Sequence, residues 1–246
     1  MSSDLVFGYH AVGRRIASAP ESCVELLCVQ GKNPRLASII DQARNQGVVV
    51  RISDRDSLTE ISGSTGHQGC VLRFEGSAGP VMSLQECIGK IGPSSLFLIL
   101  DGVTDPHNLG ACLRTADATA VNAVIIPADR SAKLTPVVRK VAAGAAETVP
   151  LIEVTNLVRA IRELQEAGVW VYGTSGDAVQ TVYEQSFKSA SALVMGAEGS
   201  GIRRLTRDAC DFLVKLPMSG VVESLNVSVA TGVFLYQMRH SMSESQ

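Results

Sequence analysis

Three stretches of this 246-residue chain combine glycines with amides, hydroxyls, a carboxylate and an arginine, the groups that hold a polar ligand. In DGVTDPHNLGACLRTADA (101–118), Gly102 and Pro106 make a loop, and Asn108 is positioned to cap the following helix. Arg114, six residues on, is expected in that helix's second turn. Its guanidinium offers a fork that matches phosphate or carboxylate, although a plain cap and a solvated arginine would leave the same spacing. His107 has no visible partner and is assigned to the loop. In LVMGAEGSGI (193–202), an apolar run meets Gly196, Gly199 and Gly201, so a ligand can approach the backbone closely while Glu198 hydrogen-bonds it. This is not a dinucleotide fingerprint, which needs G-x-G-x-x-G between the first strand and helix of a βαβ unit. In LPMSGVVESLNVSVATG (216–232), Ser224 reads as the N-cap of the final helix. Asn226 and Ser228 are unexpected among Val and Ala unless they face a site.

The elements that must position these groups alternate regularly from Ser94 onward. SLFLILDGV, NAVIIPA, PLIEV, VWVYGTS, SALVMG and FLVKL read as strands, and NLGACLRTADATA, VVRKVAAGAAETV and LVRAIRELQEAG as the helices between them. Near-continuous apolar strands separated by helices predict a buried parallel sheet covered on both faces, with ligands beyond the carboxyl ends of the strands. The last segment is predicted helical from Leu225, Val229, Val233 and Tyr236. Before this lies a smaller α/β unit: strands at VELLCVQ, VVVRI and GCVLRF, with helices at PRLASIIDQARNQG and DRDSLTEISG. The organisation expected is a small domain over 1–75, a linker rich in glycine over 76–93 and a larger α/β domain over 94–246.

Composition bounds the function less tightly. The formal charge is −2, from 22 basic and 24 acidic residues, whereas nucleic-acid binders are mostly basic. Local pairs remain, among them Arg14-Arg15, Arg139-Lys140 and Arg203-Arg204; each is weighed as a phosphate contact against a solvated face. Six scattered cysteines without a CxxC pair are expected to be reduced thiols and to bind no metal. No apolar run reaches membrane-spanning length and the N-terminus has no signal-like pattern, so no membrane partner and a cytoplasmic location are expected.

Taken together, the three stretches resemble the three motifs of the SpoU (TrmH-like) RNA ribose 2′-O-methyltransferases of the SPOUT superfamily. The first corresponds to Asn108, Gly110 and Arg114; the second to Gly196, Glu198, Gly199 and Gly201; the third to Pro217, Gly220 and Ser224 through Ser228. All three occur in order over about 125 residues, far more specific than any alone. FGYHAV (7–12) and HQGCV (67–71) are similar to the family's substrate-binding extension, which itself resembles ribosomal protein L30e. The bacterial large-subunit rRNA guanosine 2′-O-methyltransferases are the nearest subgroup.

The resemblance implies an α/β SPOUT domain with a parallel sheet and a deep trefoil knot, preceded by a small L30e-like α/β domain. It implies S-adenosylmethionine (AdoMet) as cofactor, held by Thr174, Gly196, Leu216, Met218, Leu225, Asn226 and Ser228. Catalysis would fall to Arg114, Asn108, Glu198, Ser224 and Asn226, with Glu198 and Asn108 positioning Arg114 or the nucleotide. Arg14, Arg15 and His67 would contact RNA. Partners would be 23S ribosomal RNA and a second copy of the chain, docked through the C-terminal domain. Arg114 stands open between general base and phosphate clamp, because a guanidinium is ordinarily protonated. A tRNA 2′-O-methyltransferase and a non-catalytic RNA-binding dimer are the competing readings.

Overall fold

The computed structural model describes residues 4–31, 33–76, 82–187 and 189–244; residues 77–81 of the expected linker lie outside this set. The small unit is a four-stranded sheet in the order β1-β4-β2-β3, built from β1 (Asp4–Phe7), β2 (Cys23–Cys28), β3 (Val49–Ile52) and β4 (Cys70–Phe74). β4 pairs antiparallel with both β1 and β2, and β2 pairs parallel with β3. Helices α1 (Tyr9–Ser18) and α2 (Pro34–Asn45) cover one face through Val12, Ile16, Leu36, Ile39 and Ala43, and α3 (Arg55–Ser62) covers the other through Leu58. Local chemistry sets the helix ends. Asn33 caps α2 with Pro34 at its first position, Asp54 caps α3, and left-handed Gly63 ends it.

After the short α4 (Leu84–Ile88) the chain enters a seven-stranded sheet, paired parallel throughout, in the order β7-β6-β5-β10-β8-β11-β9. Its strands are β5 (Leu96–Asp101), β6 (Ala123–Pro127), β7 (Leu151–Val154), β8 (Trp170–Thr174), β9 (Gln180–Thr181), β10 (Ser191–Gly196) and β11 (Phe212–Lys215). The interior strands β5, β6 and β10 are buried at every residue, as a sheet covered on both faces requires. One face packs on α5 (Pro106–Ala118), α6 (Pro136–Ala142) and α9 (Val227–Glu244), the other on α4 and α7 (Leu157–Glu166). Helix α8 (Arg204–Asp208) precedes β11.

Three local expectations are corrected. The helix predicted over VVRKVAAGAAETV breaks after Ala142: Ala143 and Gly144 are left-handed and a 3₁₀ turn, Ala145–Glu147, follows. A Cβ on Gly144 would sit 2.6 Å from Arg14 Cγ, so the break lets this segment pass close beneath α1. Asp105, with Pro106 after it, caps α5, so Asn108 lies inside the helix. The final helix begins at Val227, not at Ser224. Its core face is Val227, Phe234, Leu235, Met238 and Met242, whereas Leu225, Val229 and Tyr236 are exposed.

The two sheets are joined through a buried charge cluster. Arg15 of α1 is 3% exposed; it donates to Glu147 at 3.1 Å and to Ser22, and its guanidinium lies 4.1 Å from the centre of the Phe74 ring. Arg139 of α6 approaches the same ring at 5.0 Å and pairs with Asp4 at 2.7 Å. Burial pushes the Arg139 guanidinium below its usual range, while Asp4 and Glu147 oppose that shift.

Candidate functional site

The three motif stretches meet at the carboxyl ends of β5, β10 and β11. β5 ends on Asp101, which is 1% exposed and accepts from the Arg203 amide at 2.9 Å and from Arg203 Nε at 2.6 Å. Sequence patterning did not single out this pair, yet it fastens the loop after β10 to the end of β5. That loop doubles back at once: the Ala197 and Gly201 amides donate to each other's carbonyls at 3.1 and 2.9 Å. Gly196 sits under the fold-back, where a Cβ would lie 2.0 Å from the carbonyl carbon of Gly201, so no side chain is admissible. Gly110 has a different reason to be glycine. A Cβ there would meet Val141 Cβ at 2.6 Å, so it sets how closely α5 approaches the end of α6.

The fold-back delivers Glu198 to two amides. Asn108 Nδ2 donates to Glu198 Oε1 at 3.2 Å, Asn226 Nδ2 donates to the same oxygen at 2.7 Å, and Asn226 Nδ2 also donates to Asn108 Oδ1 at 3.0 Å. One residue from each stretch thus closes a single ring. Asn226 Oδ1 accepts from the Ser228 amide at 2.9 Å and the Ser228 hydroxyl at 2.6 Å, so Asn226 is the cap of α9 as well as a member of the ring. Ser224, expected as the cap, is exposed in the preceding loop.

Around the ring stand the residues expected to hold a cofactor. The Thr174 hydroxyl donates to the Val194 carbonyl at 3.1 Å, tying β8 to β10 beside Gly196. Residues 216–226 form neither helix nor strand, and among the described residues the amides of 216–225 make no main-chain hydrogen bond. The same loop exposes Met218, Val221, Val222 and Leu225. Apolar side chains beside unengaged backbone groups fit a planar heteroaromatic group with a hydrogen-bonding edge.

Arg114 stands apart from the ring. It is exposed on α5 and makes no hydrogen bond or ion pair among the described residues. Six residues of helix advance it about 9 Å from Asn108 and turn it through about 240°, onto another face. Within one chain Asn108 and Glu198 therefore do not contact Arg114; they hold each other and Asn226.

The residues expected to touch RNA divide. Arg14 is exposed beside Gly144, but Arg15 lies in the buried cluster and cannot meet solvent phosphate in this arrangement. His67 is 1% exposed. Its Nδ1 accepts from the Gly69 amide at 3.0 Å; since the Thr59 hydroxyl donates to the Arg55 carbonyl, Nε2–H donates to Thr59 Oγ1 at 3.2 Å. That bonding fixes a neutral imidazole, and burial and the Arg55 charge accordingly push its pKa down. His67 thus braces a turn and is buried in this arrangement.

Comparison with known proteins decides the family. The SpoU rRNA methylase family model matches residues 95–236, and the model for RNA 2′-O ribose methyltransferase substrate binding matches residues 5–78. The chain belongs to the SpoU rRNA methylase family. It is 51% identical, over 95% of its length and 96% of the relative's, to the 23S rRNA (guanosine-2′-O-)-methyltransferase RlmB of Shewanella oneidensis. The Escherichia coli protein of the same name is 49% identical over 96% of this chain and 97% of its own. Among solved structures, the SpoU methyltransferase AviRb from Streptomyces viridochromogenes, in complex with AdoMet, shares the fold. The TM-score is 0.78 at 22% identity, covering 99% of this chain and 92% of that one. Among the described residues no cluster of His, Cys, Asp and Glu could hold a metal ion, and no helix is long and apolar enough to cross a membrane. All six cysteines are free; burial pushes Cys70 and Cys210 up to about 12 and Cys112 to about 11.

Proposed function

We propose that this chain transfers a methyl group from AdoMet to the ribose 2′-hydroxyl of a guanosine in 23S ribosomal RNA. The observation that carries it is about 50% identity, over nearly the whole chain, to enzymes bearing that name; a site built from all three family motifs supports it. When bound, AdoMet supplies an activated methyl carbon. The loop 216–225, with Thr174, Gly196, Leu216, Met218, Leu225 and Ser228, would hold it. The ring of Asn108, Glu198 and Asn226 fixes the two cofactor loops relative to each other, an alignment that reduces the entropic part of the barrier. Arg114 would grip the target phosphate with its fork and orient the 2′-hydroxyl.

The order of the sheet, with β10 inserted between β5 and β8 and α9 returning onto α5, supports a trefoil knot around this pocket. The mixed sheet of residues 4–74 supports an L30e-like RNA-binding domain joined by a linker to the methyltransferase domain. Exposed Val229 and Tyr236 on α9 support a homodimer closed through that helix. A dimer would also bring the partner's copy of the arginine to each ring. Action on ribosomal RNA supports a cytoplasmic location.

The test uses full-length protein, tritiated AdoMet, and separate 23S rRNA and tRNA pools from a strain lacking the gene. Label is expected in a 23S guanosine; label confined to tRNA, or none, overturns the reading. Arg114→Ala should bind AdoMet yet transfer nothing. Refolded together with Asn226→Ala, it should recover about a quarter of wild-type activity, because half the dimers are mixed and each mixed dimer has one intact site of two. No recovery in verified heterodimers would mean that each subunit uses its own arginine.

A further inference from the structure

The two stretches FGYHAV and HQGCV take no part in the methyl-transfer site, yet the structure brings them together at one end of the small sheet. Gln68 has φ of 56°, a backbone strain that a non-glycine residue holds only when its surroundings enforce it. Here they do: the His67 ring accepts from Gly69, and Gly69, at φ 86°, passes so close that a Cβ would lie 2.8 Å from Val29 Cγ2. The result is an aimed side chain. Gln68 Oε1 accepts from the Tyr9 amide at 2.9 Å, which fixes which end of the amide is oxygen and leaves Nε2 as an outward donor.

Gln68 stands on the rim of an open cleft of about 680 Å³ at the carboxyl ends of β2 and β3, within the roughly 300–1,000 Å³ of small-ligand sites. Tyr9, Val29 and Ile52 give it apolar walls, and Ile52 is 62% exposed, unusual for an isoleucine with no cover. Three of its polar side chains, Gln68, Asn33 and Arg55, offer donors. Asn33 uses Oδ1 on the Arg35 and Leu36 amides, leaving Nδ2 outward. Arg55 lines the cleft and makes no ion pair among the described residues. The carboxylate of Asp54 is turned to the Ser57 amide and hydroxyl.

A partly exposed tyrosine and an exposed isoleucine suit the face of a base, and a free guanidinium with two amide donors suits its phosphate and ring acceptors. A base paired in an A-form helix cannot enter such a cleft, whereas one splayed from a loop can. We propose that this cleft binds one unpaired nucleotide of the substrate RNA, the base against Tyr9 and Ile52 and the phosphate toward Arg55. The proposal rests on the RNA-methylating function above and names a recognition point within it, remote from the cofactor ring.

The experiment compares full-length wild type with Ile52→Asp and Arg55→Ala, both at exposed positions, and with Arg162→Ala, an exposed arginine of the other domain, as control. Two readouts are taken on 23S rRNA: methylation kinetics and equilibrium binding against salt. Ile52→Asp should raise KM and Kd for RNA at least about tenfold with kcat and AdoMet affinity unchanged. Arg55→Ala should weaken binding and lower the salt slope by about one. The control should match wild type. Wild-type KM and salt slope in both variants overturn the cleft while leaving the methyltransferase reading standing. RNA binding weakened by both variants, in a protein that labels no RNA, upholds the cleft and overturns that reading. A wild type that neither labels nor binds rRNA overturns both.

Discussion

Replacing Glu147 by Gln tests how the substrate-binding part is held to the catalytic part. Glu147 is 5% exposed and its carboxylate is the buried counterion of Arg15, which is 3% exposed, while the neighbouring Arg139 leans on the more exposed Asp4. Arg15 faces Glu147 and Arg139 faces Asp4; with glutamine the buried Arg15–Glu147 ion pair is lost beside the Phe74 ring. Removing one partner of a buried pair costs about 3–5 kcal/mol, because the surviving charge remains desolvated. At this chain length about 1 kcal/mol lowers Tm by roughly 2–4 °C, so calorimetry should show a fall of about 6–20 °C. The cation–π contacts of Arg15 and Arg139 with Phe74 lower the cost slightly without supplying a counter-charge. The double variant Arg15→Met with Glu147→Leu should recover most of the loss, since apolar replacement of a buried pair is often neutral. Glu147 bonds Arg15 and is no part of the Asn108–Glu198–Asn226 ring, so AdoMet affinity should hold while rRNA methylation falls. A Tm within about 1 °C of wild type for Glu147→Gln would refute the assignment of this cluster as the clamp between the two sheets.

Two further outcomes follow from single residues. Gly196→Ala must push the 197–201 fold-back off β10, given a Cβ 2.0 Å from Gly201; AdoMet binding by calorimetry should be lost, and retained affinity would mean the loop has another stable path. His67 has its pKa lowered in the folded chain, so the unfolded chain binds the extra proton more tightly. The stability it gives is fully present above the unfolded value of about 6.5 and is lost as pH falls below that value toward the folded one. Urea midpoints for wild type should drop between pH 7 and pH 5 more steeply than those for His67→Gln, and parallel curves would contradict it.

What the sequence made legible was whatever a local rule governs. The buried parallel strands announce themselves as apolar runs, and Pro34 marks the start of α2 through backbone chemistry that needs no tertiary partner. Ser224 and Asn226 mark where such rules stop. Both residue types cap helices equally well, and the choice falls to Asn226 because its second function, donating to Glu198 and Asn108, is set by residues 28 and 118 positions away. Arg15 shows position overriding charge. It follows Val12 by three residues and precedes Ile16, the inward face of α1, so the periodicity that locates the core also locates the arginine in it. In α9 the same periodicity is ambiguous, because apolar residues run on both sides. Leu225, Val229, Val233 and Tyr236 have a regular spacing, but Phe234, Leu235, Met238 and Met242 take the core. Val229 and Tyr236 leave α9 with a second, exposed apolar face, and Arg114 lies about 9 Å along α5 from Asn108 on another face. The homodimer proposed through α9 would cover the first and give the second a site, which is why the mixed-variant experiment on Arg114 and Asn226 tests the assembly and the chemistry together.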